Sequence, residues 1–175
     1  DLKLHDIPNT VAGGVRAASE LGVDLLTVHA AGGTAMLDAA REAAAGRIKI
    51  LGVTVLTSLS GAEIESVWGR EIRSIREEVG RLAELATESR LDGVVASALE
   101  ASWLRRQVPE DLLIVTPGIR PSGSDRGDQS RVATPAAAVL AGSDYLVIGR
   151  PITQADDPAA SLAAILSEIA TAVEE

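Results

Sequence analysis

The sequence contains no cysteine and no phenylalanine, and aromatic residues make up only 2% of its 175 residues. Without cysteine the chain forms neither disulfides nor thiolate metal sites, which fits a reducing compartment such as the cytoplasm. The few aromatic rings offer no platform for stacking single-stranded bases. No run of about 18 apolar residues is present to span a bilayer, and no secretory signal pattern occurs. The composition therefore predicts a cytoplasmic protein with no membrane partner.

Positive charge is also scarce. The formal net charge is −9, and only two of the 16 basic residues are lysines, Lys3 and Lys49. This balance disfavours nucleic-acid binding, so an anionic ligand would need a local cluster of arginines. Hydrophobic residues make up 46% of the chain, without a linker or low-complexity stretch, which predicts one domain over residues 1–175.

Runs of Val, Ile and Leu alternate with alanine-rich stretches that have helical spacing. Strands are predicted at residues 1–4, 23–30, 48–56, 93–98, 112–119 and 145–150. Apolar helical faces are predicted from Val11, Val15, Ala18 and Leu21, from Ile72, Ile75, Val79, Leu82 and Leu85, and from Leu162, Ile165, Leu166, Ile169 and Val173. Continuous apolar strands that alternate with amphipathic helices indicate the α/β class, with parallel strands.

Two architectures fit six βα units: an open doubly wound sheet, or part of an eight-stranded barrel. A doubly wound dinucleotide-binding sheet usually has a glycine-rich turn after its first strand, whereas DIPNT follows the first strand here. The pattern therefore favours a (β/α)8 TIM barrel of which this chain supplies strands three to eight, with two strands expected upstream of a first residue that is not Met.

The opening stretch DLKLHDIPNT places ionisable groups at every second position. Residues two apart in a strand lie on the same face, about 6.5 Å apart. Asp1, Lys3 and His5 would then face the barrel interior, while Leu2 and Leu4 pack toward the helices. A lysine flanked by carboxylates keeps its proton and can act as a general acid. The alternative is an ordinary ion pair on a solvated edge strand.

Asp6 and His29 each have a structural interpretation. Asp6 precedes Ile7 and Pro8, where a helix can begin, so its carboxylate could cap that helix. His29 ends a predicted strand and is expected to bond to backbone. The two histidines, with no HExxH spacing, give a metal site little support, and no metal is predicted.

Polar segments follow the last two predicted strands. Residues 120–131, RPSGSDRGDQSR, include Arg120 and Gln129, and the final strand ends at Gly149 and Arg150. Barrel enzymes commonly bind phosphate with the loops after strands seven and eight, where arginine contacts phosphate in a bidentate manner and a closing loop completes the site. The alternative for residues 120–131 is a mobile, solvated loop.

Two hydroxyl residues, Thr57 and Ser97, lie at the ends of other predicted strands. Both could contribute to a ring of polar groups at the barrel mouth. Each, taken alone, could equally serve only the local structure.

Six motifs in order resemble the orotidine 5′-phosphate decarboxylase family: DLKLHDIPNT, LTVHAAGG, GVTVLTS, DGVVASALEA, VTPGIRPSGSDRGDQSRVATP and DYLVIGRPIT. The resemblance covers residues 1 to about 158. It implies a TIM barrel that forms a homodimer with shared active sites. It also implies a carboxy-lyase of de novo pyrimidine (UMP) biosynthesis, which makes UMP and CO2 from orotidine 5′-monophosphate and uses neither metal nor organic cofactor.

The resemblance also implies roles for residues of the opening stretch. Asp1, Lys3 and Asp6 match three members of the family's Lys-Asp-Lys-Asp network. Lys3 would donate a proton to C6, and Asp1 would lie against the substrate carboxylate. Asp6 and Thr10 would reach the ribose in the partner subunit's site, together with Ile7.

Further matches complete the implied substrate site. Ser97 corresponds to the residue that contacts the pyrimidine amide, and Thr57 to a substrate-contacting threonine. The family's phosphate-binding residues correspond to Arg120, Gln129, Gly149 and Arg150.

The family's first two strands, with a ribose-binding Asp and the network's first Lys, have no match in these residues, and Lys49 lacks the context to replace that lysine. If these 175 residues were the whole molecule, an open-edged barrel with little or no turnover would be expected. The other explanation is a fragment of a longer native protein. Two other functions remain open: a sugar-phosphate decarboxylase or aldolase of the same superfamily, such as the 3-keto-gulonate 6-phosphate or hexulose-phosphate types that depend on Mg²⁺, or a noncatalytic fragment that binds a phosphate ligand.

Overall fold

A computed structural model describes residues 1–121 and 131–174, and its centre is a sheet of five parallel strands in chain order. The strands are β1 (Leu25–His29), β2 (Lys49–Val53), β3 (Gly93–Val95), β4 (Leu113–Thr116) and β5 (Tyr145–Leu146). Each falls within a predicted strand and is shorter than predicted. The α/β class with a parallel sheet is confirmed.

Helices connect and cover the strands. They are α1 (Pro8–Glu20), α2 (Thr34–Ala44), α3 (Gly61–Trp68), α4 (Ile75–Glu88), α5 (Ala98–Arg105), α6 (Pro135–Leu140), α7 (Arg150–Thr153) and α8 (Pro158–Glu174), with a 3-10 turn at Ala30–Gly32. Within the two described ranges, a helix with the length and apolar character needed to cross a bilayer does not occur.

The main core lies between the sheet and the helices. The strands contribute the fully buried Val28, Ile50, Val94 and Ile114, and the helices contribute Val15, Leu37, Val79, Leu82 and Leu104. Because strand side chains alternate between faces, Thr27 and Leu51 lie on the opposite face of the sheet. That second face is the one available for a site at the carboxyl ends of the strands.

Residues 1–4 lie beside β1 but form only one β-bridge, between Leu4 and Val28. The count of six regular strands is therefore not confirmed. Lys3 has a φ of 50°, in the left-handed region, which interrupts the extended backbone. The alternation predicted for the side chains is also wrong at Leu2, which is 63% exposed, whereas Leu4 packs against the core.

Two predicted helical faces are only partly buried. Helix α1 buries Val11, Val15 and Ala18, but Leu21 is 82% exposed because the helix has ended at Glu20. In α8, which packs against α6 and α7, Ile165 is buried. Three other predicted core residues of α8 are exposed, namely Leu162, Leu166 and Val173.

Candidate active site

The residues predicted to form the site follow the carboxyl ends of different strands. Parallel strands end at the same edge of a sheet, where α/β proteins bind their ligands. Thr57 follows β2, Ser97 follows β3, Arg120 follows β4, and Gly149 and Arg150 follow β5. The sheet therefore gathers residues that are up to about one hundred positions apart in the chain.

Asp1 and Lys3 form an ion pair next to β1, with 2.5 Å between Lys3 Nζ and Asp1 Oδ2. The Thr27 hydroxyl in β1 donates to Asp1 Oδ1 at 2.7 Å and accepts from the Lys3 backbone N–H at 2.9 Å. Both side chains of the ion pair remain partly exposed, Lys3 at 39% and Asp1 at 59%. The pair is thus fixed by the sheet and accessible to a ligand.

Lys3 borders a cavity of about 190 Å³ at this edge. Thr57 also lines the cavity, which brings together two of the predicted site residues. Its other walls come from residues at the ends of three strands, including Val53, Val95 and Pro117. The cavity combines apolar walls with an ammonium group and a hydroxyl, as small-molecule sites commonly do.

The rings of His5 and His29 contact each other near Lys3 in a tilted arrangement, with centroids 5.3 Å apart and ring planes 38° apart. Burial lowers the pKa of His29 below its ordinary value of 6.5, and the charges of His5 and Lys3 lower it further. The His29 backbone N–H donates to the Leu4 carbonyl at 2.9 Å, which attaches the end of β1 to the opening stretch. His29 stays neutral over a wider pH range than an exposed histidine.

Ser97 is buried and serves as the N-cap of α5, where its hydroxyl accepts from the Leu99 N–H at 3.3 Å. This contact agrees with the structural alternative for Ser97. Its neighbour Ala96 lines the cavity next to Lys3.

The predicted phosphate residues differ in exposure. Arg120 is buried, and its Nη1 donates to the Ile119 carbonyl at 2.8 Å. Arg150 is exposed and begins α7, with Gly149 as the N-cap, and a Cβ at Gly149 would meet open space. Gln129 lies outside the described residues.

Asp6, Ile7 and Thr10 are all exposed at the start of α1. The helix-capping alternative for Asp6 is wrong, because Ile7 is the N-cap and has no side-chain capping bond. Asp6 Oδ1 instead accepts from the Ile7 N–H at 2.6 Å. Its carboxylate therefore has a local hydrogen bond and is exposed to solvent.

Sequence reasoning missed two contributors. Thr27 could have been noticed as a hydroxyl inside the apolar strand LLTVH. Arg131, noted only as one of several basic residues, is buried and forms an ion pair with Glu100 at 2.9 Å. Its Nη2 donates to the Val55 and Leu56 carbonyls, both at 3.1 Å, which fixes the backbone just before Thr57.

Comparison with known proteins identifies the family. The model of the orotidine 5′-phosphate decarboxylase / HUMPS family matches residues 1–165. An orotidine 5′-phosphate decarboxylase from Halorhodospira halophila is 57% identical, covering 98% of this chain and 73% of that protein. One from Moorella thermoacetica is 56% identical, covering 97% and 70%.

A solved structure, orotidine 5′-phosphate decarboxylase from Lactobacillus acidophilus, superposes with a TM-score of 0.82 at 40% identity. The alignment covers 95% of this chain and 72% of that one. The family match over residues 1–165, the identity of these relatives and the shared fold show that the chain belongs to the orotidine 5′-phosphate decarboxylase / HUMPS family.

Proposed function

We propose that the protein converts orotidine 5′-monophosphate to UMP and CO2, with Lys3 as the proton donor. The observation that carries this proposal is the Asp1–Lys3 pair, which is held at the carboxyl edge of the sheet and borders a cavity shared with Thr57. The names of the relatives, at 57% and 56% identity, supply the reaction.

The chemistry requires a cation beside the reacting carbon. When the bond between C6 and the carboxylate breaks, its electron pair stays on C6 and CO2 leaves. An ammonium at that position stabilises the developing negative charge and then transfers its proton to C6, and solvent reprotonates the amine. Asp1 keeps the Lys3 ammonium in place and lies against the substrate carboxylate.

The substrate phosphate binds beyond the ends of β4 and β5 in this proposal. Arg150 is exposed, a Cβ at Gly149 would meet open space, and both residues follow β5, where a guanidinium can bind a phosphate. Arg120 and Gln129 contribute to the same phosphate-binding site. Phosphate binding remote from C6 then helps to close and order the site.

The native assembly in this proposal is a homodimer with shared active sites. Asp6, Ile7 and Thr10 project from the start of α1, and Ile7 is 68% exposed despite being apolar. A partner subunit that covers Ile7 would bring Asp6 and Thr10 to its own bound ribose. Residues 1–4 take the place of a strand next to β1, so that six βα units contribute to an eight-stranded barrel. A cytoplasmic location remains a prediction from the composition.

The direct test is formation of UMP from orotidine 5′-monophosphate by the full-length protein, measured with and without EDTA. Turnover that persists in EDTA would support the proposal. Absence of UMP would contradict it, and Mg²⁺-dependent turnover of 3-keto-gulonate 6-phosphate instead would favour the sugar-phosphate alternative. Tight binding of UMP without turnover would favour a noncatalytic role.

A further inference from the structure

Thr27 lies in the middle of β1, between two residues that pack into the helix-side core, Leu26 and Val28. Its side chain is therefore on the opposite face of the sheet, where it is only 8% exposed. A hydroxyl at a buried strand position costs free energy unless it is hydrogen-bonded. The partners of this hydroxyl consequently indicate why a threonine is present.

Both partners belong to the opening segment. The Thr27 hydroxyl gives its proton to Asp1 Oδ1 at 2.7 Å and accepts the Lys3 backbone N–H at 2.9 Å. Its backbone carbonyl accepts the Leu4 N–H at 3.0 Å. One residue of β1 thus bonds to three of the first four residues, Asp1, Lys3 and Leu4, in the segment that carries the ammonium group.

The bond to Asp1 also determines how the carboxylate meets Lys3. One carboxylate oxygen is occupied by Thr27, which leaves Oδ2 for Lys3 Nζ. The bond to the Lys3 N–H supports a backbone conformation that is unfavourable for a residue with a Cβ, because the Lys3 φ is 50°. Without the hydroxyl, the carboxylate could rotate and the backbone of Lys3 could relax.

We propose that Thr27 is a positioning residue that orients Asp1 and Lys3 for the chemical step. This inference rests on the proposed function of Lys3. Thr27 acts through Asp1 and Lys3 rather than on the substrate, so its hydroxyl should affect kcat much more than binding.

The test compares Thr27→Val, which has nearly the same shape but no hydroxyl, with Thr27→Ser, which keeps the hydroxyl. For Thr27→Val we expect a decrease in kcat of about 10- to 100-fold, as is typical when a supporting hydrogen bond is lost. KM and the Kd of UMP should stay within about threefold. Thr27→Ser should keep most of the wild-type kcat.

The matched control is Thr116→Val. Thr116 is fully buried at the end of β4, and its hydroxyl bonds at 2.6 Å to the Ser143 hydroxyl, away from Asp1 and Lys3. The same chemical change there should lower the melting temperature without lowering kcat. Exchange of the Lys3 backbone amide, followed by NMR, should accelerate in Thr27→Val and stay unchanged in Thr116→Val.

Wild-type kcat in Thr27→Val, or an equal loss in Thr27→Val and Thr116→Val, would overturn the inference. If Thr27→Val does not fold, Thr27→Ala provides a second variant without the hydroxyl, and the same comparison with Thr27→Ser applies. Failure of the proposed function is distinguishable, because the wild-type protein would then form no UMP. An active wild type with an equally active Thr27→Val contradicts only the role of Thr27.

Discussion

The Asp1–Lys3 and Glu100–Arg131 ion pairs contrast in burial and in partners. Asp1 and Lys3 are 59% and 39% exposed, and their support comes from Thr27 in one strand. Glu100 and Arg131 are both 8% exposed, and Arg131 also binds two carbonyl groups that follow β2. The first pair borders a cavity, whereas the second connects α5 to the backbone that precedes Thr57.

This difference indicates a division of roles. An exposed ion pair contributes little to stability, because water and salt screen it. A buried pair contributes little net stability relative to apolar residues, but loss of one partner leaves a charge without compensation. The structure therefore predicts that substitutions in the Asp1–Lys3 pair affect the reaction, and that substitutions in the Glu100–Arg131 pair affect folding.

The largest effect is expected for Lys3→Ala in the full-length protein. Loss of the proton donor should lower kcat about 10⁴-fold, measured as UMP formation. The Kd of UMP should change little, because the ammonium acts mainly on the transition state. Lys49→Ala is the matched control, since Lys49 is exposed at the start of β2 and should leave kcat unchanged. Wild-type turnover by Lys3→Ala would exclude Lys3 as the donor.

The second effect concerns the buried pair. Arg131→Met should lower the free energy of unfolding by about 3–5 kcal/mol, because Glu100 is left buried without its partner. Urea denaturation measures this change. The double variant Glu100→Leu/Arg131→Met should recover part of it, and Asp1→Asn should cost less than about 1 kcal/mol. Equal losses for Arg131→Met and Asp1→Asn would remove the distinction between the two pairs.

The third prediction concerns Arg150, which is exposed, in contrast to the buried Arg131. Arg150 is exposed beside the Gly149 N-cap, so Arg150→Ala should leave stability nearly unchanged but weaken phosphate binding. Hydrogen bonds to charged groups contribute about 1.5–3 kcal/mol, which corresponds to an increase in KM of about 10- to 100-fold. Arg76→Ala, an exposed arginine of α4, is the control. An unchanged KM would place the phosphate elsewhere.

The smallest expected effect is a pH dependence of the folding stability, which comes from His29 beside the exposed Asp1–Lys3 pair. The pKa of His29 is lower in the folded protein than its ordinary value of 6.5, chiefly because of burial. As the pH falls below about 6.5, the unfolded chain therefore binds a proton first, and the folded state loses stability until His29 is also protonated.

Urea denaturation between about pH 7 and about pH 5 should show this loss, and His29→Gln should reduce its slope. His5→Gln should give an intermediate slope, because it removes only the second of the three causes. Identical slopes for the wild type and His29→Gln would contradict the assignment.

The sheet was predictable because its strands are continuous apolar runs, which only burial on both faces explains. The predicted boundaries were too long where a different element begins, as at residues 96–98, where Ser97 already caps α5. Leu21 illustrates the same limit, since helical spacing continues through a residue that lies beyond the helix end. Periodicity identifies an element more reliably than it locates its end.

The charged pair at Asp1 and Lys3 was predictable because both residues lie within three positions of one another. The residue that supports this pair was not predictable, because Thr27 is 26 positions from Asp1 in the chain. The Glu100–Arg131 pair was not predictable either, because it spans 31 positions. Such contacts depend on which strands are neighbours and on their register, which spacing along the chain does not determine. Sequence analysis thus identified the chemical groups but not the residues that orient them.

Residues 1–4, which carry Lys3, are attached to the sheet by a single β-bridge at Leu4. They are therefore held less stably than the five paired strands. Two backbone hydrogen bonds, from Leu4 to Thr27 and from His29 to Leu4, attach this segment, whereas β1 and β2 pair over five residues. A segment held by few backbone hydrogen bonds opens at lower free energy than the protein as a whole. Opening of this bridge would displace Lys3 from Thr27 while β1 to β5 stay paired, so heating should abolish activity before the secondary structure melts.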